Sequence, residues 1–154
     1  MEYLPVEGGT FCYLAVLMDL HSRRIVGWHL DDDMTESLVL RALRSAVKQR
    51  PPEANFIHHT DRGGQYAGNE YRAVLRRAGV LQSMSRAGNC YDNAFMESCF
   101  GTIKNELEMT DYEDSRAART EIAQYIRYYN SDRRHSGIPY CSPDQFEQII
   151  NLQN

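Results

Sequence analysis

The apolar pattern of this chain points to an α/β domain. Its sheet is mixed, with three antiparallel strands first, short parallel strands after, and helices on both faces. Three observations carry this. Apolar and branched runs at Met1–Pro5, Phe11–Leu20 and Ile25–Leu30 are joined by short turns, which makes a meander. Apolar residues then recur at helical spacing from Leu38 to Val47. Beyond them, short strands alternate with helices, the arrangement that yields parallel pairing by crossover.

Each element has its own signal. Gly8-Gly9 turns the first strand into the second, and His21-Ser22-Arg23-Arg24 is a polar turn before the third, which holds the single Trp28. Asp31-Asp32-Asp33 reads as a solvated loop ahead of a helix, where negative charge is favourable, rather than as a metal site. Thr35 is placed to cap that helix, and Arg50-Pro51-Pro52 ends it. Asn55–His59 is a short strand, and Arg62-Gly63-Gly64 is a turn. A helix follows from about Asn69 to Ala78, closed by Gly79, and Leu81–Ser85 is the last strand. Arg86–Asp92 is a polar loop. Helices are expected over about Asn93–Glu108 and Ser115–Tyr129. Met96, Cys99, Phe100, Ile103 and Leu107 form the buried stripe of the first of these two. Ser142-Pro143-Asp144-Gln145 opens a final helix with a capping box.

A length of 154 residues suits a single domain over 1–154, with a helical extension from about residue 131. No apolar run nears the roughly 20 residues of a membrane span, and no basic-then-apolar leader opens the chain. Cys12, Cys90, Cys99 and Cys141 lack metal-ligand spacing and read as reduced thiols, so the cytoplasm is the expected compartment. A net charge of −4 argues against a strong stand-alone DNA binder, although local basic patches remain able to hold phosphate.

Two acidic residues stand apart. Asp61 lies in His58-His59-Thr60-Asp61-Arg62-Gly63-Gly64-Gln65-Tyr66, just past the carboxyl end of a short strand, where ligands collect in such sheets. Glu97 lies on a helix after Asp92-Asn93-Ala94, with 35 residues between the two acids. By pattern alone, Asp61 is equally a metal ligand or a cap at a strand-to-turn junction. A lone Glu97 is more readily a solvated helix residue. His58 and His59 do not read as a zinc pair, because neighbouring strand residues point to opposite faces.

Five segments in one order change this balance. They are Tyr13–Asp19, Arg24–Trp28, the Asp61 run, the Glu97 run, and Tyr129-Asn130 through His135-Ser136. Together they resemble the catalytic core of DDE transposases and retroviral integrases, and most nearly the bacterial insertion-sequence transposases of the IS-three type. The resemblance implies a ribonuclease H-like fold. It also implies cleavage and transfer of DNA strands by two Mg²⁺ (or Mn²⁺) ions held by two aspartates and a glutamate. Asp61 and Glu97 match the second and third positions as catalytic residues and metal ligands. The first aspartate falls one residue before Met1, so the first strand reads as truncated and the chain, as it stands, as impaired in activity. Glu2 would face the same side as that aspartate but lie too far along the strand to replace it.

The family also uses basic residues one and two turns after the glutamate to contact DNA. Lys104 matches the second and Gly101 departs from the first. Arg62 and Asn93 are further DNA-contact candidates, while His59 and Asn89 are candidates for supporting the carboxylates. The expected partners are transposon-end and target DNA and other copies of a transposase. The competing reading is a non-catalytic relic that binds DNA or an intact transposase.

Overall fold

In the computed structural model, which describes residues 1–61, 63–85, 94–107 and 112–152, three antiparallel strands come first. They are β1 (Glu2–Val6), β2 (Thr10–Met18) and β3 (Ile25–Asp31), in that spatial order. Alternation along β2 builds both cores. Cys12 and Leu14, with Val16 and Met18, pack on one face; Tyr13, Ala15 and Leu17 pack on the other. The β2–β3 register shifts between Leu17 and Met18, so Met18 pairs with Ile25 and Val26 is passed over. This bulge puts Ile25 on the same core face as Trp28 and Leu30.

Helix α1 (Glu36–Gln49) and helix α2 (Asn69–Arg77) cover one face, with Leu38, Val39, Leu43, Tyr71 and Leu75 buried between them and the sheet. Gly27 permits this contact: a β-carbon there would lie 2.6 Å from the Ala42 carbonyl oxygen and from the Ala46 side chain. Helix α3 (Ala94–Glu106) and helix α4 (Ser115–Ser131) cover the opposite face. The α3 stripe of Cys99, Phe100 and Ile103 is buried there, with Met96 and Leu107 partly so, as helical periodicity requires.

The parallel strands are β4 (Ile57–Thr60) and β5 (Leu81–Met84), paired from Ile57 opposite Leu81 to Thr60 opposite Met84. Hydrogen bonding divides the described strands into two groups, β1-β2-β3 and β4-β5. The reason lies in the lengths. Pairing of β1 stops at Glu2 opposite Leu14, so Ala15–Met18 of β2 pair only with β3. The space between that half of β2 and β4 is an open cleft of about 1100 Å³.

Local signals mostly behave as their chemistry demands. Ser142 and Gln145 form the capping box of α5 (Pro143–Asn151) in both directions. Gly79, at φ 69°, follows α2. Thr35 has an extended backbone before α1 but makes no side-chain cap bond. One turn of 3₁₀ helix, Gly64–Ala67, stands where a plain turn was expected. Asp19 is a turn residue: its Oδ1 accepts from the His21 and Ser22 N–H groups at 2.8 and 3.2 Å. The C-terminal segment is tied down through α5. Glu147 accepts from Ser22 Oγ at 2.7 Å and from Arg50 at 2.6 Å, and Arg24 pairs with Asp144. Among the described residues, no helix is long and apolar enough to cross a membrane.

Candidate active site

β4 ends at Thr60, and the next residue, Asp61, turns the chain. Its Oδ1 accepts the Gly63 N–H at 2.8 Å, which fixes the carboxylate at the carboxyl edge of the parallel pair. Glu97 stands exposed in the first turn of α3, where the helix dipole favours a negative charge. The two acids come from opposite sides of the fold, one after β4 and one on a helix of the other layer. Both line the single cleft between β2 and β4.

The start of β1 enters the same cleft. Burial pushes the Met1 amino group below its usual range, while the Asp61 and Glu2 carboxylates pull it back up. Tyr66, also in the cleft wall, has its phenol pushed up to about 12, first by burial and then by the Asp61 charge. Asp61 thus acts on both groups as a nearby negative charge, the sign that attracts a cation.

The remaining candidates fall into different places. Lys104 lines the cleft two turns beyond Glu97, but its Nζ is 2.8 Å from Glu2 Oε1 and 5.4 Å from the Tyr3 ring centroid. Glu2, weighed in the sequence only as a weak stand-in for a ligand, is thus the ion-pair partner of Lys104. Nothing in a linear pattern signals that contact, since about a hundred residues separate the two. His59 also lines the cleft, with Nδ1 and Nε2 each 3.0 Å from a serine hydroxyl, Ser83 and Ser85. His58 also lines the cleft, its Nε2 2.7 Å from the Tyr71 hydroxyl, and burial drives its pKa down to about 4. The two rings take different partners. Arg62, Asn89 and Asn93 lie outside the described residues.

Arg133 and His135 do not form a phosphate site. Arg133 grips Glu106 with Nε at 2.7 and 2.9 Å, and His135 is buried against the Tyr129 ring. Asn130 clamps the start of β3, accepting from the Ile25 N–H and donating to the Ile25 carbonyl, both at 2.9 Å.

Five acids line the cleft, Glu2, Asp19, Glu53, Asp61 and Glu97, and carboxylates are hard oxygen ligands of the kind Mg²⁺ and Mn²⁺ prefer; Glu2 pairs with Lys104 and Asp19 with Arg50. Among the described residues no cluster of three or more His, Cys, Asp or Glu is arranged to hold a metal. The carboxylates of the cleft have the chemistry to hold a divalent ion.

Comparison with known proteins agrees with this geometry. A family model described as Integrase core domain matches residues 1–90, and a second model of the same description matches residues 78–143. The chain is 45% identical over 150 residues to the transposase for insertion sequence element IS904 of Lactococcus lactis subsp. lactis (strain IL1403), covering 96% of this chain and 59% of that protein. It is 44% identical over 149 residues to transposase InsF for insertion sequence IS3A of Escherichia coli (strain K12), covering 96% and 51%. The chain thus spans about half the length of these relatives. In fold it is similar to the HTLV-2 integrase catalytic core domain, solved in complex with magnesium, with a TM-score of 0.71 at 15% identity over 94% of this chain and 90% of that one. It is also similar to a chain of the simian T-cell lymphotropic virus intasome solved with PP2A regulatory subunit B56 gamma. That TM-score is 0.73 at 13% identity, over 94% of this chain and 51% of that one. These likenesses establish a ribonuclease H-like fold.

Proposed function

Because the chain belongs to the integrase core domain family, we propose that its cleft is the place where DNA strands are cut and joined during transposition, with Asp61 and Glu97 as the ligands of divalent metal. One observation carries this reading. Asp61, at the end of β4, and Glu97, on α3, both line the cleft, and among the described residues neither forms an ion pair. Two other acids of the cleft are paired, Glu2 with Lys104 and Asp19 with Arg50, as Glu106 is with Arg133 and Glu147 with Arg50 elsewhere.

When bound, Mg²⁺ or Mn²⁺ supplies charge stabilisation to the attacking and leaving oxygens of an in-line displacement. The residues of this chain do the rest. The Gly63 N–H orients the Asp61 carboxylate. The first turn of α3 carries Glu97 into the same cleft. Lys104 offers a positive charge to a phosphate once Glu2 releases it. His59, held by Ser83 and Ser85, stiffens β4 behind Asp61. The partners in this reading are transposon-end and target DNA and further copies of the transposase, and the compartment is the bacterial cytoplasm. The 154 residues act as one domain, with α5 as a C-terminal extension strapped to the β2–β3 turn.

The resembled family adds a third carboxylate on its first strand. The family's first aspartate would stand ahead of Met1, on the β1 edge that already reaches the cleft. Several kcal/mol of transition-state stabilisation from one ion corresponds to a rate factor of roughly a thousand. The test is strand joining of a short pre-processed DNA end at high concentration. The 154-residue chain is compared with one bearing Asp ahead of Met1, each with and without Glu97→Gln. The extended chain should be faster by about a thousandfold or more, and Glu97→Gln should abolish the gain. Equal rates with and without the added Asp would reject the missing-ligand part. Insensitivity to Glu97→Gln would reject the site.

A further inference from the structure

We propose that Phe95 is a stacking platform for an unpaired DNA base beside the reacting phosphate, with Arg23 holding the ring from behind. This deepens the reading of Asp61 and Glu97 given above and rests on it. Phe95 lies in the first turn of α3, two residues before Glu97, and lines the same cleft. It is 50% exposed, whereas Cys99, Phe100 and Ile103 on the same helix are buried. One face of its ring is occupied: the Arg23 guanidinium carbon lies 4.0 Å from the ring centroid. The ring also lines the cleft, so its surface is shared between Arg23 and that space.

Arg23 is held for this contact by its own turn. Its backbone sits at φ 64°, a left-handed conformation that a residue with a β-carbon adopts at a cost. Its N–H donates to the Asp19 carbonyl at 2.8 Å. The guanidinium passes along Gly137, where a β-carbon would come to 3.5 Å from its Nε. Among the described residues no carboxylate forms an ion pair with it, in contrast to neighbouring Arg24. A positive charge therefore stands against an aromatic ring on the helix that also carries Glu97. An apolar protein segment gains nothing from that charge, whereas a polyanion with flat rings gains from both features. Aromatic stacking accepts any base, because every base has a π-face. A duplex buries those faces, so the occupant is an unpaired nucleotide of single-stranded DNA.

The test uses the full 154-residue chain at low salt and a short single-stranded DNA carrying 2-aminopurine, whose fluorescence is quenched on stacking. Phe95→Ala should weaken binding by about tenfold, the scale of one stacked base, and remove the quenching. The salt dependence should not change, because stacking releases no counterion. Phe95→Trp should restore both affinity and quenching. Phe95→Leu keeps apolar bulk without a π-face and should stay weak. Arg23→Ala should give a partial loss of quenching. Equal binding by wild type and Phe95→Ala would overturn the proposal, as would full restoration by Phe95→Leu. So would a sedimentation result in which Phe95→Ala dissolves a dimer, since a second copy would then be what covers the ring. Asp61→Asn separates the two readings. If it leaves Mn²⁺ binding unchanged while Phe95→Ala still abolishes quenching, the metal-site reading fails and the stacking platform stands.

Discussion

Two polar segments look alike in the sequence and behave differently in the fold. One runs from His58 to Tyr66, the other from Tyr129 to Ser136, and both mix histidine, arginine and tyrosine. In the second, Asn130 and Arg133 find partners in the chain and His135 is buried, while Ser131, Asp132, Arg134 and Ser136 stay exposed. Asn130 closes on both backbone groups of Ile25, Arg133 grips Glu106, and Tyr125 donates to Glu106 at 2.8 Å. In the first, Asp61 is held by one backbone N–H and lines a cleft shared with an exposed glutamate. The lesson is that a family motif is of two kinds. One kind is spent on holding elements together. The other leaves charge facing an open space, and that kind carries chemistry.

The sharpest way to break this comparison is Asn130→Ala. It leaves the N–H and carbonyl of buried Ile25 without partners, so a stability loss of about 2–4 kcal/mol is expected in urea denaturation. A variant of unchanged stability would show that the C-terminal segment is not the clamp described. Next in size is His58, a structural residue inside the chemical segment. Its folded pKa, about 4, lies below the 6.5 of a free imidazole, so the unfolded chain takes up a proton first as pH falls. Stability should be full above about 6.5, decline towards pH 4 by roughly 2–3 kcal/mol, and change no further through this group below that. His58→Gln should flatten the decline. An identical pH profile in the variant would place the titration elsewhere.

Glu106 sharpens the contrast further. Its hydrogen bond and charge pairing with Arg133 hold its pKa below the ordinary carboxylate range. The stability it contributes is present above the unfolded-state pKa and is lost as pH falls through the depressed one. Glu106→Gln should weaken that acid-side loss, and no change would mean the pair is idle. The smallest effect belongs to Lys104. Its exposed pair with Glu2 contributes a few tenths of a kcal/mol, so Lys104→Ala should barely alter stability. It should flatten the salt dependence of DNA binding by about 0.9 in slope, one phosphate contact. An unchanged slope would return Lys104 to the role of a surface ion pair.

Much of this was legible in the sequence because it is written in local periodicity. The three-strand meander, the stripes of α1 and α3, and the Ser142–Gln145 capping box all follow from spacing within one element. That Asp61 and Glu97 would line one cleft followed from resemblance, since no local rule links residues so far apart. What stayed hidden was non-local or geometric. The Glu2–Lys104 pair joins a strand start to a helix. The Asn130 clamp joins α4 to β3. The two-part sheet depends on where the β1 ladder stops. Thr35 has the backbone of a cap without the bond, while the neighbouring Glu36 carboxylate accepts the Tyr71 N–H of α2 at 3.2 Å. Arg133 and His135 are held by Glu106 and the Tyr129 ring, partners that the chain order does not reveal.

The central claim is that Asp61 and Glu97 share one divalent ion. Titration of Mn²⁺ into the 154-residue chain, followed by electron paramagnetic resonance of free Mn²⁺, tests it most directly. Weak saturable binding is expected for the chain as it stands, lost in Asp61→Asn and in Glu97→Gln, with urea stability of both variants preserved. Mn²⁺ binding that survives either substitution unchanged would contradict the account.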